Sequence, residues 1–529
     1  MIAHKNITKI VAVLMAAVTC LCLAAIVYAK PLTEAFGGLG VTMEYSSKLF
    51  DTDEILSIHI IMDDAEWSEM LSDAISETYS QCDVEINGEM FYRVGIRPKG
   101  NTSLTAIASD PDSDRYSFKL EFDQYVEGQS CYGLDKLILN NSYADATSMK
   151  EALIYDMYQY LNTDASLYNY ARISVNGEYW GVYLALEAVE DSFMLRNYGT
   201  ENGKLYKPEG VDMGGKRPDS GNRMPPDGEP GRGDPPDQFD GRKQPSRKNM
   251  DNSNTAGGGA NLNYTDDEPE SYSAIWDGEV TQSGKADRRR VVTALKNISE
   301  GTSLERYMDV DNLLKYMAVH VFSVNEDSLS GMMAHNYYLY EADGRLNILP
   351  WDYNLTLGGM GGRGGANGDD SATGIVNDAI DNAFSGTDFF DALMENEEYH
   401  SKYDCYLQQL TDEYVFGGGF EKFYERVRRQ IDSLVETDPT AFYTYEEYSD
   451  AADTLYEVVQ LRGKSVKGQV EGTIPSTSDE QKNSKALVDA SHLDLSVMGS
   501  MDMGDPMREW NESSDRTGLD NLTKMKMQN

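Results

Sequence analysis

Residues 325–358, NEDSLSGMMAHNYYLYEADGRLNILPWDYNLTLG, hold two short strand-like runs with oxygen-bearing side chains near their ends. The runs are HNYYLYE (335–341) and LNILPWD (346–352), and the ADGR text between them is a turn signal. Asp327 stands before the first run, Asn336 lies at its start, and Asp352 closes the second. A carboxylate, an amide and a second carboxylate brought to strand ends suit a hard cation and a phosphoryl group. Mg2+ takes oxygen ligands and leaves positions open for phosphate oxygens.

The chain of 529 residues is long enough for two or more ordinary domains or one large two-lobed one. Its 88 Asp and Glu against 46 Lys and Arg leave a net charge of −42. That balance excludes a broad duplex-binding face, which needs cations to release phosphate counterions, so no nucleic-acid partner is expected. A solvated acidic surface accounts for most of the charge, and it suits a basic partner. Residues 10–29, IVAVLMAAVTCLCLAAIVYA, form an apolar run of about 20 residues, the length a helix needs to cross a bilayer. His4, Lys5 and Lys9 before it put the bulk of the chain on the extracytoplasmic side. The expectation is an uncleaved N-terminal transmembrane helix over residues 1–30, with a signal peptide cut after Val27-Tyr28-Ala29 as the alternative. Outside that run stand Cys82, Cys131 and Cys405, whose spacing matches no zinc pattern. In an exported chain Cys82 and Cys131 form a disulfide or stay buried thiols, and the spacing leaves both open.

Residues 31–54 read as a tether and 55–208 as β-rich. In RYSFKLEFD, Tyr116, Phe118, Leu120 and Phe122 share one face, while Lys119 lies on the other. SMKEALIYDMYQYL (148–161) has helical periodicity, with Ser148 and Glu151 spaced as a capping box. Asn176-Gly177 is a hairpin signal. Residues 209–265 are rich in Gly, Pro, Asp and Arg with almost no aliphatic side chains, so a disordered insertion is expected there. It contains Arg232-Gly233-Asp234, which in so biased a segment reads as chance. Helical patterns dominate 266–475, and 476–529 reads as a polar tail expected to fray.

Six motifs in order, GIRPKGNTS (95–103), FKLEFD (118–123), NGEYWGVYLALE (176–187), LYKPEG (205–210), HNYYLY (335–340) and LPWDYN (349–354), resemble the spore coat protein H (CotH) kinase family. The resemblance runs from about Ile55 to Pro475, apart from the insertion. It implies an α+β, divergent protein-kinase-like two-lobed fold, with a β-rich first lobe and a helical second lobe. It also implies Mg2+-dependent transfer of the ATP γ-phosphate to Ser or Thr of a protein, in a membrane-anchored, secreted or spore-associated setting. By the same resemblance, Asp327 is the catalytic carboxylate and Asp352 the metal-binding one, with Asn336 and Asn354 as further ligands. Lys119 is the strand lysine on the phosphates, and Arg97, Lys99, Gly100, Asn101, Ser103 and Lys207 form the phosphate cover. The helix partner of Lys119 is Asp156 or Glu151; the capping-box role of Glu151 favours Asp156. Two departures stand out: Asn354 replaces the second Asp of a W-D-x-D motif, and no His-Arg-Asp triplet precedes Asp327. A non-catalytic surface binding module and an AMP transferase are the rival readings.

Overall fold

The β-branched runs between Ile55 and Glu187 close on themselves. In the computed structural model, which describes residues 40–208, 257–331, 334–360 and 371–501, they are β1 (Leu56–Ile61), β2 (Ser80–Ile86), β3 (Glu89–Lys99), β4 (Ser117–Glu121), β5 (Lys136–Asn140), β6 (Tyr168–Val175) and β7 (Glu178–Glu187). They form a closed barrel in the order β1-β2-β3-β4-β5-β7-β6. Neighbours are antiparallel except at the closure, where β1 runs parallel to β6 with Leu56 opposite Ala171 and Ile60 opposite Val175. Asn176 and Gly177, at φ of 50° and 91°, make the tight turn between β6 and β7. Phe118 and Leu120 of β4 fill the barrel core with Ile58, Val84, Ile96 and Ile173.

β5 is buried on both faces. Leu137 and Leu139 enter the barrel core, while Ile138 joins a second, larger core with Tyr170, Leu184 and Leu186 of β6 and β7. The helices complete that second core: α1 (Lys150–Tyr160), α2 (Asp191–Tyr198), α3 (Lys285–Ser299), α4 (Val310–Ser323), α5 (Glu397–Gln409), α6 (Gly419–Glu436) and α7 (Tyr445–Val470). α6 shows why they pack: Phe420, Phe423, Val427, Ile431 and Val435 recur at helical spacing and form its buried face. A small sheet, ordered β10-β9-β8, joins β8 (Lys204–Tyr206), β9 (Tyr337–Ala342) and β10 (Arg345–Pro350). The turn read at ADGR connects β9 to β10, with Asp343 at φ 53° and Gly344 at 85°.

This architecture corrects the expected kinase-like two-lobed fold. The first region is a closed barrel, and its β5-β7-β6 wall shares one continuous core with the helices. The physical reason is the β1–β6 pairing, because local text marks strands and turns but not which distant edges meet. The expected transmembrane helix also finds no support: among the described residues no helix is long and apolar enough to cross a membrane. Residues 10–29 themselves lie outside the described residues, as do 209–256 of the expected insertion with its Arg232-Gly233-Asp234. The segment after them packs, with Ala260 and Leu262 buried in the larger core. Residues beyond Pro475 do not fray at once. The Ala146 N–H donates to the Met498 carbonyl at 3.1 Å and the Met501 N–H to the Gly359 carbonyl at 2.9 Å. Cys82 and Cys131 are buried free thiols, and burial pushes the Cys82 thiol up to about 12.

Two buried arginines brace the assembly. Arg115 donates to both Asp438 oxygens at 2.9 and 2.8 Å and to the Val182 carbonyl at 2.6 Å, pinning β7 to the residues after α6. Arg462 of α7 donates to the Val321, Phe322 and Asp378 carbonyls at 2.7, 3.2 and 2.7 Å. Its charge sits where the α4 dipole is negative and steadies the helix end that launches the Asp327 loop.

Candidate functional site

β3 ends in Lys99, and Gly100 turns the chain at φ 139° into the short helix Thr102–Ala108. A side chain at Gly100 would meet Ser103 Oγ at 2.9 Å, so the turn stays tight around its backbone. Lys99 Nζ donates to Asn140 Oδ1 at 3.1 Å and lies 5.6 Å from the centroid of the Trp351 ring. Asn140 Nδ2 in turn donates to Glu151 Oε2 at 2.8 Å. Asn140 therefore couples the strand lysine to the α1 glutamate.

Glu151 faces this cluster because the expected capping box does not form. α1 starts at Lys150, with Ser148 outside it at φ 51°. Asp145 takes over the capping, accepting from the Thr147 N–H at 3.0 Å and the Lys150 N–H at 3.0 Å. Glu151 is left free to point toward β5, and its Oε1 is buried without a hydrogen-bond partner.

Asp352 follows β10 in the left-handed region, at φ 58°. Burial and then the charge of Asp352 push the Glu151 carboxyl up to about 8. Burial also raises Asp352, with Asp327 adding to the rise while Lys99, Lys207 and His335 oppose it. Burial lowers Lys99 against the pull of Asp352 and Glu151. Three carboxylates, two lysines and a histidine thus act on one another at one place. Lys207 arrives there because its N–H donates to the Gly278 carbonyl at 2.7 Å.

Asp327 is held on both oxygens. His335 Nε2 contacts Oδ1, and Asn336 Nδ2 donates to Oδ2 at 3.0 Å and to the Asp327 carbonyl at 2.8 Å. Burial lowers the His335 pKa, but the Asp327 hydrogen bond and charge outweigh it and leave the ring above its usual range. Asn325 joins the two carboxylate loops: its Oδ1 accepts from the Asp327 N–H at 3.2 Å and its Nδ2 donates to the Asp352 carbonyl at 3.3 Å.

The remaining expected residues are engaged by partners of their own, although the Lys119 charge still acts on Lys99. Lys119 pairs with Glu190 at 2.6 Å, and Lys136 shares that glutamate. Arg97 pairs with Glu77 over the Tyr79 ring. Asp156 accepts from Tyr414 Oη at 2.7 Å and Arg426 Nη2 at 3.2 Å, away from Lys119. Asn101 precedes the short helix, its carbonyl accepting from the Thr105 N–H at 3.1 Å. Asn354 Nδ2 donates to the Tyr143 carbonyl at 3.0 Å. Sequence reasoning missed His335, although it directly precedes Asn336, and missed Asn140 and Glu190, for which no local signal existed.

Among the described residues no group of three or more His, Cys, Asp or Glu side chains is gathered closely enough to hold a metal ion. The donor chemistry still fits a hard cation. Asp352 and Glu151 are carboxylates that disfavour each other's charge, and Glu151 Oε1 lacks a partner.

The sequence model of one protein family, CotH kinase protein, matches residues 96–466. The chain belongs to the CotH kinase family. A relative named Inner spore coat protein H, from Bacillus subtilis (strain 168), is 22% identical over 363 residues, which is 67% of this chain and 83% of that protein. The CotH match takes in Lys99, Glu151, Lys207, Asp327 and Asp352. It leaves out β1, β2 and the segment that runs back to Gly359.

Proposed function

We propose that the chain is a kinase that moves the γ-phosphoryl group of ATP to a Ser or Thr hydroxyl of a spore-associated protein. The observation that carries this reading is the meeting of Lys99, Glu151 and Asp352 with the Asp327–His335 pair, in a CotH family chain. Lys99 and Lys207, with the turn Gly100–Ser103, would face the ATP phosphates. Lys99 takes the place first assigned to Lys119, whose charge Glu190 already answers. Asp352 would hold Mg2+, with Glu151, Asn336 and Asn354 as the further oxygen donors. When bound, the ion neutralises charge on the phosphates.

Asp327 would orient the acceptor hydroxyl and take its proton. His335 and Asn336 fix the carboxylate in one orientation, so little reorganisation is needed when the acceptor arrives. The net charge of −42 would favour a basic acceptor.

The test is incubation of the purified full chain with γ-labelled and, separately, α-labelled ATP, Mg2+ and a Ser-rich basic protein. Acceptor label from γ alone supports the kinase. Label from α means AMP transfer, and label from neither means a binding module.

A further inference from the structure

We propose that His320 is a positioning residue that locks the Asp327 loop to the Asp352 loop, holding the two carboxylates in one relative placement. Its catalytic consequence rests on the kinase reading; the lock itself rests on geometry alone. His320 lies in the last turn of α4 and is 1% exposed. Its Nδ1 is 3.0 Å from Tyr353 Oη, one residue beyond Asp352. Its Nε2 is 2.8 Å from Ser330 Oγ and 3.1 Å from Ser328 Oγ, and Ser328 is one residue beyond Asp327. One buried ring therefore touches both loops.

The donors and acceptors form one consistent direction. Ser328 Oγ donates to the Asn325 carbonyl at 2.8 Å, so its oxygen is left to accept from His320. That places the imidazole proton on Nε2 and leaves Nδ1 as an acceptor for the Tyr353 hydroxyl. Tyr353 Oη then accepts from Tyr158 of α1, 2.6 Å away. Every hydroxyl proton has an acceptor and the ring needs only one proton. Burial keeps the ring neutral, its pKa lowered to about 3.

Asn325 closes the circuit from the other side by bonding the Asp327 N–H and the Asp352 carbonyl. The path Asp327–Asn325–Asp352–Tyr353–His320–Ser328 is a ring of side chains and backbone with no free end. Such a network gives two loops one shared geometry, where apolar packing would tolerate small slides. No member of the Tyr158–Tyr353–His320–Ser328 arm is needed to touch ATP or acceptor.

The experiment uses full-length His320→Phe, which keeps a ring but no hydrogen bond, and His320→Gln, which keeps a donor and an acceptor. Tyr353→Phe, Ser328→Ala and their double variant complete the set. Circular dichroism checks folding, and hydrogen exchange reads the Asp327 and Leu357 amides, the latter bonded to the Ser323 carbonyl at 3.0 Å. His320→Phe is expected to speed exchange in both loops together by about tenfold or more while the β2–β3 amides stay unchanged. Phosphoryl transfer should fall in kcat by about tenfold or more with the KM for ATP nearly unchanged, and His320→Gln should recover part of it. The Tyr353→Phe/Ser328→Ala pair should be non-additive, the second change costing little once the first has opened the lock.

Exchange that rises in one loop only, or strictly additive losses, would overturn the proposal. If the wild type transfers no phosphate, the kinase reading fails while the exchange result still decides the lock. If a variant does not fold, His320→Gln and Ser328→Ala, which leave the ring site filled or intact, carry the decision.

Discussion

The two cores of this molecule are built from different materials. The barrel core is mainly aliphatic, with Ile58, Ile60, Val84 and Val94 at zero exposure. The larger core beneath the candidate site is threaded with polar groups: Asp145, Lys150, Glu151, His320, Asn325 and Ser328 are all buried. Aliphatic packing is tolerant of small shifts and gives stability. Buried polar groups must each find a partner, so they specify one arrangement at some cost in stability. On the proposed kinase reading, the barrel serves as support and the polar core carries the chemistry.

The widest separation between the two should come from activity. Asp352→Ala is expected to lower phosphoryl transfer by roughly 10²-fold or more, the scale of losing a major electrostatic contact at the transition state, with the far-ultraviolet dichroism unchanged. Mg·ATP calorimetry should show weakened binding in the same variant. Undiminished binding by a folded Asp352→Ala protein would move the chemistry out of the polar core.

The joint between the regions comes next. Arg115→Ala leaves the Asp438 carboxylate buried without its cation, and it should lower stability by about 3–5 kcal/mol in urea unfolding. A loss near zero would mean that the β7 wall and the end of α6 are held by apolar packing alone.

Acid should probe the polar core selectively. His320 has a folded pKa near 3, below its unfolded value, so the folded state binds the proton less readily. Its contribution to stability is complete above about pH 6.5 and is lost as pH falls from there toward 3, at roughly one to two kcal/mol per pH unit. His320→Gln should flatten the urea midpoint against pH over that window. An unchanged acid slope would show that other groups set the acid limb.

The smallest effect should be in the barrel. Ile58→Val removes one buried methyl group and should cost about 0.5–1.5 kcal/mol, with turnover per folded molecule unchanged. A fall in turnover would show that the barrel tunes the site and would blur the distinction.

Much of the local structure was legible. Asn176-Gly177 announced the β6–β7 turn, the alternation around Phe118 and Leu120 announced β4, and the text from HNYYLYE to LNILPWD announced β9 and β10. Asp327 and Asp352 each flank that hairpin in the chain, and the charge of Asp327 adds to the rise of the Asp352 carboxyl. The lysine was not legible. Alternation puts Lys119 on the face opposite the barrel core, but which cation meets Glu151 depends on the cross-strand register and on Asn140 of β5. The preference for Asp156 over Glu151 leaned on a capping box that does not form: Asp145, outside the helix, does the capping that Ser148 was expected to do.

The sequence by itself determined the elements, the turns, the acidic character and membership in a family, because those depend on residue type and on neighbours a few positions away. Only the tertiary structure decided the closure of β1 onto β6, the pairing of Lys99 with Glu151 through Asn140, and the seat of His320 between two loops. Periodicity states which face of a strand or helix is buried. It does not name the partner on that face, and each of these contacts joins residues whose proximity the folded chain alone creates.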